Sequence, residues 1–338
     1  MNIAVYGATG HTGRLAAAGL RARGHDVILS GRDEGRLKAL ADELGGAAVH
    51  RAALDDHAAL VALAERADVL IHCAGPFTHT GRPVALAAAE GGCHYVDHAL
   101  EQHHTAWMFA EMDPLARRAG IAMVTAMSFY GGFGDLLAGA VAAGVPDIGR
   151  LTVAYAVNGW RLTTGAKQTA ELLFAATDRI VYEDGEFRVA DVEPRNAVYP
   201  FPPPLGPRTM IAPIPSSDVV TIPRHVRARR VEAQLTADTF TEEHAFTSEH
   251  ADPATRAGSS FMVAVQAVTP GGPLAGQVSG RDLWRASALT SVEAAVRLAE
   301  GHEPGVFGPS EAFAAQPYLR DLEKLGLFTL RLPEGTSS

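Results

Sequence analysis

Lysine is nearly missing from this chain: Lys38, Lys167 and Lys324 are the only three among 338 residues. None of the 7 tyrosines is followed by a lysine four positions later, so the tyrosine–lysine proton-donor pair of many short-chain reductases is excluded. Cysteine is equally scarce. Cys73 and Cys93 suit neither a disulfide framework nor a four-ligand zinc site, as expected in a reducing compartment. The formal charge is -9 and there is no basic block, which excludes a nucleic-acid partner because counterion release needs clustered Lys and Arg. No apolar run is long enough to span a bilayer, so no membrane partner is expected. The chain enters a strand pattern within two residues of Met1, without a basic leader region, and a cytoplasmic location follows as an expectation.

What is present is 47% hydrophobic and 20% charged residues, enough for two medium cores. Short apolar runs at 3–6, 27–29 and 69–71 alternate with amphipathic segments at 15–23, 36–44 and 60–66. This is βαβα order, which implies a parallel sheet covered on both faces. Further strands follow at 94–96 and 121–124, and a sheet of six parallel strands is expected in all. The pattern breaks near Met127, and beyond it 151–157 and 261–268 read as long alternating strands, the second followed by a turn at 270–273. An open, mainly antiparallel sheet is expected there. The stretch 199–215 carries seven prolines and is expected to hold neither helix nor central strand, leaving a connector or a lid. A helical pattern returns at 284–301. The expected domains are residues 1–127, residues 128–280 for substrate and dimer contacts, and a segment 281–338 returning to the first.

Directly after the first strand comes Gly7-Ala8-Thr9-Gly10-His11-Thr12-Gly13-Arg14, opening a helix. Gly7 permits a tight turn, Gly10 lets the backbone approach a pyrophosphate, and Gly13 allows close helix–strand packing while the helix N-terminus faces the anion. A dinucleotide fits this loop, and the fold class is α/β: a Rossmann-type doubly wound parallel sheet with a second α/β domain on a mixed, mainly antiparallel sheet. At the tip of the second strand, Ser30-Gly31-Arg32 replaces the acidic residue that an NAD enzyme directs at the ribose 2′-hydroxyl. NADP(H) is therefore the expected cofactor, with Arg32 and the Ser30 hydroxyl on its 2′-phosphate. Asp33 and Glu34 cap the next helix, and Lys38 is a further, weaker candidate. The fourth strand ends in Cys73-Ala74-Gly75-Pro76, where small residues let the nicotinamide ribose approach, although a ligand-free turn reads the same.

Three segments together, at 7–14, 73–77 (Cys-Ala-Gly-Pro-Phe) and 94–97 (His-Tyr-Val-Asp), resemble the saccharopine dehydrogenase-like oxidoreductases. Looser echoes continue through 133–136 and 305–311. The resemblance implies an NADP(H)-binding Rossmann domain, a central α/β domain with a mixed sheet, and a C-terminal segment returning to the first. It further implies reduction of an imine formed from an amine and an oxo acid or, in some branches, of an enoyl thioester. After Asp97 the chain reads His98-Ala99-Leu100-Glu101, where relatives continue toward Gly-Glu, and its length is short for a saccharopine reductase proper.

Hydride transfer needs the acceptor carbon held near the nicotinamide and a group compensating charge on the acceptor. Asp97, ending the fifth strand, is the leading catalytic candidate, with helix capping as its alternative role. His98 is a candidate general acid. Glu101, His103 and His104 follow, but the cluster fits no helical zinc spacing and no metal is expected. In the second domain the segment 163–169, which contains Lys167, precedes an apolar helix expected at 170–176, where an anion could dock, with a Thr-capped helix and an exposed Lys as the alternative; Tyr130 sits at the domain crossing. Arg208, Arg224 and His225 are further polar side chains near loops. The expected function is hydride transfer between NADP(H) and a small or carrier-bound C=N or C=C substrate, with a homodimer as the expected assembly. A non-catalytic NADP(H) sensor and a redox-neutral enzyme holding its cofactor tightly are the alternatives.

Overall fold

The computed structural model describes residues 1–240 and 252–333. Its first strands are β1 (Asn2–Tyr6), β2 (Asp26–Gly31), β3 (Ala48–Arg51), β4 (Val69–His72), β5 (His94–Asp97) and β6 (Ala122–Val124). There follow β7 (Arg150–Asn158), β8 (Asp178–Glu183), β9 (Glu186–Asp191), β10 (Arg195–Pro200), β11 (Pro207–Ala212), β12 (Val231–Thr236), β13 (Ser260–Thr269), β14 (Gly272–Arg281), β15 (Gly305–Phe307) and β16 (Phe328–Arg331). The chain divides into two compact units. The first comprises Met1–Ala99, His103–Ser128 and Ser287–Phe307; the second takes Leu100–Gln102, Phe129–Ala286 and the described chain from Gly308 onward. Residues 334–338, the end of the segment expected to return to the first domain, lie outside the described residues.

The first unit is built on a seven-stranded parallel sheet in the order β15-β6-β5-β4-β1-β2-β3. Its strands are parallel because helices cross over between them, and its central strands β1 and β4 are almost wholly buried because helices cover both faces. All four residues of β4 are buried, and so is every residue of β1 after Asn2. Leu60 and Leu63 of helix His57–Ala64 and Val84 and Ala88 of helix Phe77–Glu90 belong to one core with Leu70 and Tyr95 of the sheet. Burying such a Leu or Val side chain contributes about 1.5–3 kcal/mol. The sheet exceeds the expected six strands by β15, which pairs with β6 through only three residues from far downstream. No βα repeat announces it.

The second unit carries a nine-stranded sheet, ordered β10-β11-β12-β7-β13-β14-β16, with β8 joined to β12 and β9 to β8. Its strand pairings are antiparallel apart from β12 with β7. Thr269 faces Gly272 at the expected turn after β13. One expectation is corrected here. The Pro-rich stretch folds into the hairpin β10–β11, and β11 lies between β10 and β12 as an internal strand. Pro207 opens β11, Pro200 closes β10 and Pro213 falls past the end of β11, so the amides of Arg208 to Ala212 remain available to the ladder.

Candidate dinucleotide site

Strand register sets one line of residues along the C-terminal edge of the parallel sheet. Tyr6 faces Ser30 on one side and His72 on the other, and His72 faces Asp97. The loops after β1, β2, β4 and β5 therefore leave the sheet side by side. Strand order reverses at β1, between β2 and β4, and the crevice outside that reversal is where open α/β sheets bind ligands.

The glycine loop occupies the reversal point. Its first amides, of Gly7 and Ala8, both donate to the Ser30 carbonyl, at 2.9 and 3.0 Å. Gly7 has φ +80°, a left-handed conformation, and a Cβ there would stand 2.8 Å from the Ala74 Cβ. At Gly13 a Cβ would stand 2.3 Å from the Gly7 carbonyl oxygen, so helix His11–Ala22 packs this tightly onto the loop only with glycine at that position. Gly10 precedes that helix, and no side chain caps it. With the buried His11 at its start and Thr12 and Gly13 following, the first helical turn presents backbone donors with the positive end of the helix dipole behind them. A cradle that a single methyl would fill, beside an uncapped helix start, fits a pyrophosphate.

Around it the candidate residues separate by accessibility. Arg32 is exposed just past β2, and two more guanidinium groups flank it. Arg51 donates through Nε to the Arg32 carbonyl at 3.2 Å, and Arg36 donates through Nη2 to the Thr9 carbonyl at 3.4 Å. Ser30 does not share that exposure: its side chain is fully buried, and its carbonyl anchors the glycine loop. Asp33 caps helix Glu34–Glu43 by accepting the Arg36 N–H at 3.0 Å, and Lys38 pairs with Glu34 at 2.6 Å. On the other side of the crevice the Cys73 N–H donates to the Tyr6 carbonyl at 2.9 Å, and burial pushes the Cys73 thiol far up. Ala74 touches Gly7, Gly75 and Pro76 precede helix Phe77–Glu90, and the Thr80 hydroxyl donates to the Ala74 and Pro76 carbonyls.

Asp97 is sealed inside this edge. Its carboxylate accepts the His104 Nε2–H at 3.0 Å, the Ala126 N–H at 2.8 Å, the Ala99 N–H at 3.0 Å and the Thr125 hydroxyl at 3.1 Å. Burial works to raise its pKa, but the His104 hydrogen bond and charge, with the two amides, hold it below the usual carboxylate range. Among the described residues no group of three or more His, Cys, Asp or Glu could hold a metal ion, and His103 is exposed while His104 is buried against Asp97. His98 lies 2.8 Å through Nε2 from the Ser291 hydroxyl, which itself donates to the Ala288 carbonyl, so the imidazole carries its proton on Nε2. Burial pushes His98 down to about 4, and the ring is neutral near pH 7. His72, passed over as the last residue of an apolar strand, is fully buried with Nδ1 2.9 Å from the Tyr95 hydroxyl, and burial pushes it down to about 3.

Tyr130 and Lys167 belong to the second unit. Thr163 caps helix Thr164–Ala175 by accepting the Ala166 N–H at 3.2 Å, and Lys167 reaches Glu171 at 3.7 Å. The Tyr130 ring lies 4.9 Å from the rings of Phe129 and Tyr155 and 6.0 Å from Trp160. Arg224 pairs with Glu311 at 2.8 Å, and Arg208 donates to the carbonyl of Pro207. Here the sequence reading missed a buried polar network. The Tyr155 hydroxyl accepts the Gly131 N–H and donates to Asp218, both at 3.0 Å, and the Ser216 hydroxyl donates to the same carboxylate. Asp135 accepts the His225 Nε2–H at 2.8 Å and the Ser310 N–H at 2.7 Å. Burial lifts Asp218 to about 7, with the Ser216 and Tyr155 hydrogen bonds partly opposing it. Burial disfavours a charged His225, but the Asp135 carboxylate outweighs it and raises its pKa. The sequence signals were weak and scattered: His225 near a loop, Asp135 within 133–136, and Ser216-Ser217-Asp218 ending the Pro-rich stretch.

A seven-stranded parallel sheet with a glycine loop at its strand-order reversal and a guanidinium at the tip of β2 defines a dinucleotide-binding domain. Residues 3–127 match the family model of the saccharopine dehydrogenase NADP binding domain, so the cofactor of this domain is NADP(H). The whole fold is similar to that of apo saccharopine dehydrogenase (L-Glu forming) from Saccharomyces cerevisiae, with a TM-score of 0.65 over 98% of both chains at 13% identity. In sequence, 37% identity over 101 residues relates the chain to the trans-acting enoyl reductase of Mycobacterium ulcerans, and 37% over 102 residues to that of Mycobacterium tuberculosis. Each match covers 28% of this chain and 24% of the relative, so the chain aligns with only about a quarter of those proteins.

Proposed function

We propose that the protein is an NADP(H)-dependent oxidoreductase that moves hydride between the nicotinamide and a small or carrier-bound C=C or C=N substrate. The observation that carries the reading is the Gly7–Gly13 cradle within a segment matched to NADP-binding domains, with the exposed Arg32 where a 2′-phosphate would lie. The backbone amides at the start of helix His11–Ala22 would hold the pyrophosphate, Arg32 the 2′-phosphate, and the Cys73 to Pro76 loop the nicotinamide ribose. The cofactor supplies the hydride when bound. The names of the mycobacterial relatives favour an enoyl thioester over an imine as acceptor.

The role proposed for Asp97 follows from its four donors: it positions the loop after β5 against the turn after β6 and does not touch substrate. His98, neutral and partly accessible beside Ser291, is the proton-handling candidate of the first unit; Tyr130 and Lys167 remain candidates from the second. Among the described residues no helix is long and apolar enough to cross a membrane. A cytoplasmic location suits the two unpaired thiols, Cys73 and Cys93, and a homodimer is the proposed assembly.

Following NADPH absorbance with a panel of enoyl thioesters and of amine plus oxo-acid pairs tests the reading. Substrate-dependent oxidation by one class supports it. Tight NADPH binding without turnover on either class would transfer the protein to the sensor reading.

A further inference from the structure

In the second unit β8, β12 and the segment 213–219 line a cavity of about 160 Å³. Arg179, the second residue of β8, forms part of its wall and is only 6% exposed. Its Nε is buried with no hydrogen-bond partner among the described residues, and Nη1 reaches the Pro213 carbonyl only at 3.5 Å. Three carboxylates line the cavity with it: Glu193 is exposed, and the other two are held by other arginines. Glu232 is held by Arg195 at 2.9 Å and Arg230 at 3.2 Å, and Glu183 by Arg188 at 2.7 Å and Arg230 at 3.2 Å. Among the described residues Arg179 has no carboxylate within ion-pair distance.

A buried guanidinium without a counter-charge is costly, since it cannot neutralise itself by losing its proton. Its position is not a loose one. Gln102 clamps the next residue from both sides, accepting the Ile180 N–H at 3.1 Å and donating to the Ile180 carbonyl at 2.8 Å. Ile180, Ile214 and Val219, all buried, supply apolar surface to the same lining.

We propose that this cavity binds a small organic carboxylate, its head on Arg179 and its short apolar body against Ile180, Ile214 and Val219. A carboxylate matches the planar fork of a guanidinium with one compensating charge. Inorganic phosphate suits the cavity poorly, because it brings up to two negative charges to a single unpaired guanidinium beside Glu183 and Glu232, and finds no use for the apolar wall. None of the residues proposed to hold the dinucleotide lines this cavity, and all of them belong to the first unit.

Calorimetric titration of the full chain, saturated with NADPH to occupy the first unit, with butyrate, butyramide and inorganic phosphate tests this. Saturable butyrate binding is expected at one site, with butyramide and phosphate at least about tenfold weaker. Arg179→Met, which keeps the apolar stem, should weaken butyrate at least about tenfold while leaving NADPH affinity unchanged. No butyrate binding, equal binding of butyrate and butyramide or of butyrate and phosphate, or full binding by Arg179→Met overturns the proposal. If the variant does not fold, the butyrate-against-butyramide comparison on the wild-type protein decides alone.

Discussion

The Asp97 carboxylate and the His104 imidazole meet at 3.0 Å with both side chains closed to solvent, 0% and 3% exposed. A buried carboxylate held by an imidazole N–H and two further amides is a structural tie, and removing one side leaves the other group desolvated and unpaired. Asp97→Ala should therefore lower the unfolding free energy by about 3–5 kcal/mol, read by urea denaturation. Asp97→Asn, which keeps acceptor and size, should lose less. A variant as stable as the wild type but inactive would reverse the assignment and make Asp97 catalytic.

Gly13 sets the distance between helix His11–Ala22 and the loop before it. With a Cβ only 2.3 Å from the Gly7 carbonyl oxygen, Gly13→Ala cannot be absorbed by a side-chain shift, because the atom in the way is backbone. The helix must move, and with it the amides facing the pyrophosphate. NADPH affinity should fall by about 100-fold or more, on the order of 3 kcal/mol, in a fluorescence titration. Ala18→Gly, in the same helix but away from the loop, serves as the control for helix propensity and should cost only about 1 kcal/mol of stability.

Arg32 stands exposed where the second strand releases the chain, and the preference for the phosphorylated coenzyme proposed for it would be electrostatic. Arg32→Ala should weaken NADPH by about tenfold, the value of one charge-assisted contact at an exposed site, and leave NADH nearly unchanged. Comparing dissociation constants for the two coenzymes measures this directly. Equal losses for both would move 2′-phosphate recognition to Arg36 or Arg51, whose guanidinium groups bond to the carbonyls of Thr9 and Arg32.

Those residues also mark how far the sequence could be read. Gly7, Gly10 and Gly13 are local signals: spacing, a strand before and a helix after are all contained in about one βα unit, and the loop is where they place it. Ser30 was visible as a residue at a strand tip, but whether its hydroxyl points into the crevice depends on the pleat and on Tyr6 opposite, which spacing does not specify. Asp97 was legible as a residue at the right sheet edge. Ala99 and His104 are near it in sequence, but Thr125 and Ala126 lie 28 and 29 residues away on the next strand's turn, so the residues around Asp97 showed only part of how its carboxylate is held. The Asp218 network joins Gly131, Tyr155 and Ser216 across a long-range sheet and has no compact motif at all.

His98 is held neutral by burial, with a folded-state pKa of about 4 against about 6.5 for a free imidazole. The folded state thus binds fewer protons than the unfolded state between those values, and stability must fall as pH drops through the window. Allowing for its partial exposure, His98→Gln should recover on the order of 2 kcal/mol of the loss between pH 7 and pH 4, measured as the difference between two denaturation series. Parallel curves for variant and wild type would mean that the ring is already solvated.

Asp218 works in the opposite sense. Burial places its folded-state pKa at about 7, above the ordinary 3.8, so the folded protein holds a proton there that the unfolded chain has released. The contribution is complete below about pH 4 and is lost as pH rises toward 7, after which both states are ionised and nothing further changes. Asp218→Asn keeps an acceptor for the Tyr155 hydroxyl but carries no titrating proton. The stability of the wild type relative to this variant should therefore decline by on the order of 3–5 kcal/mol from pH 4 to pH 7 and stay level above pH 8. Such a decline requires that Asp218 be protonated where Tyr155 and Ser216 hold it. A difference that does not vary with pH would mean that their hydrogen bonds keep the carboxylate ionised, and that burial is the weaker influence.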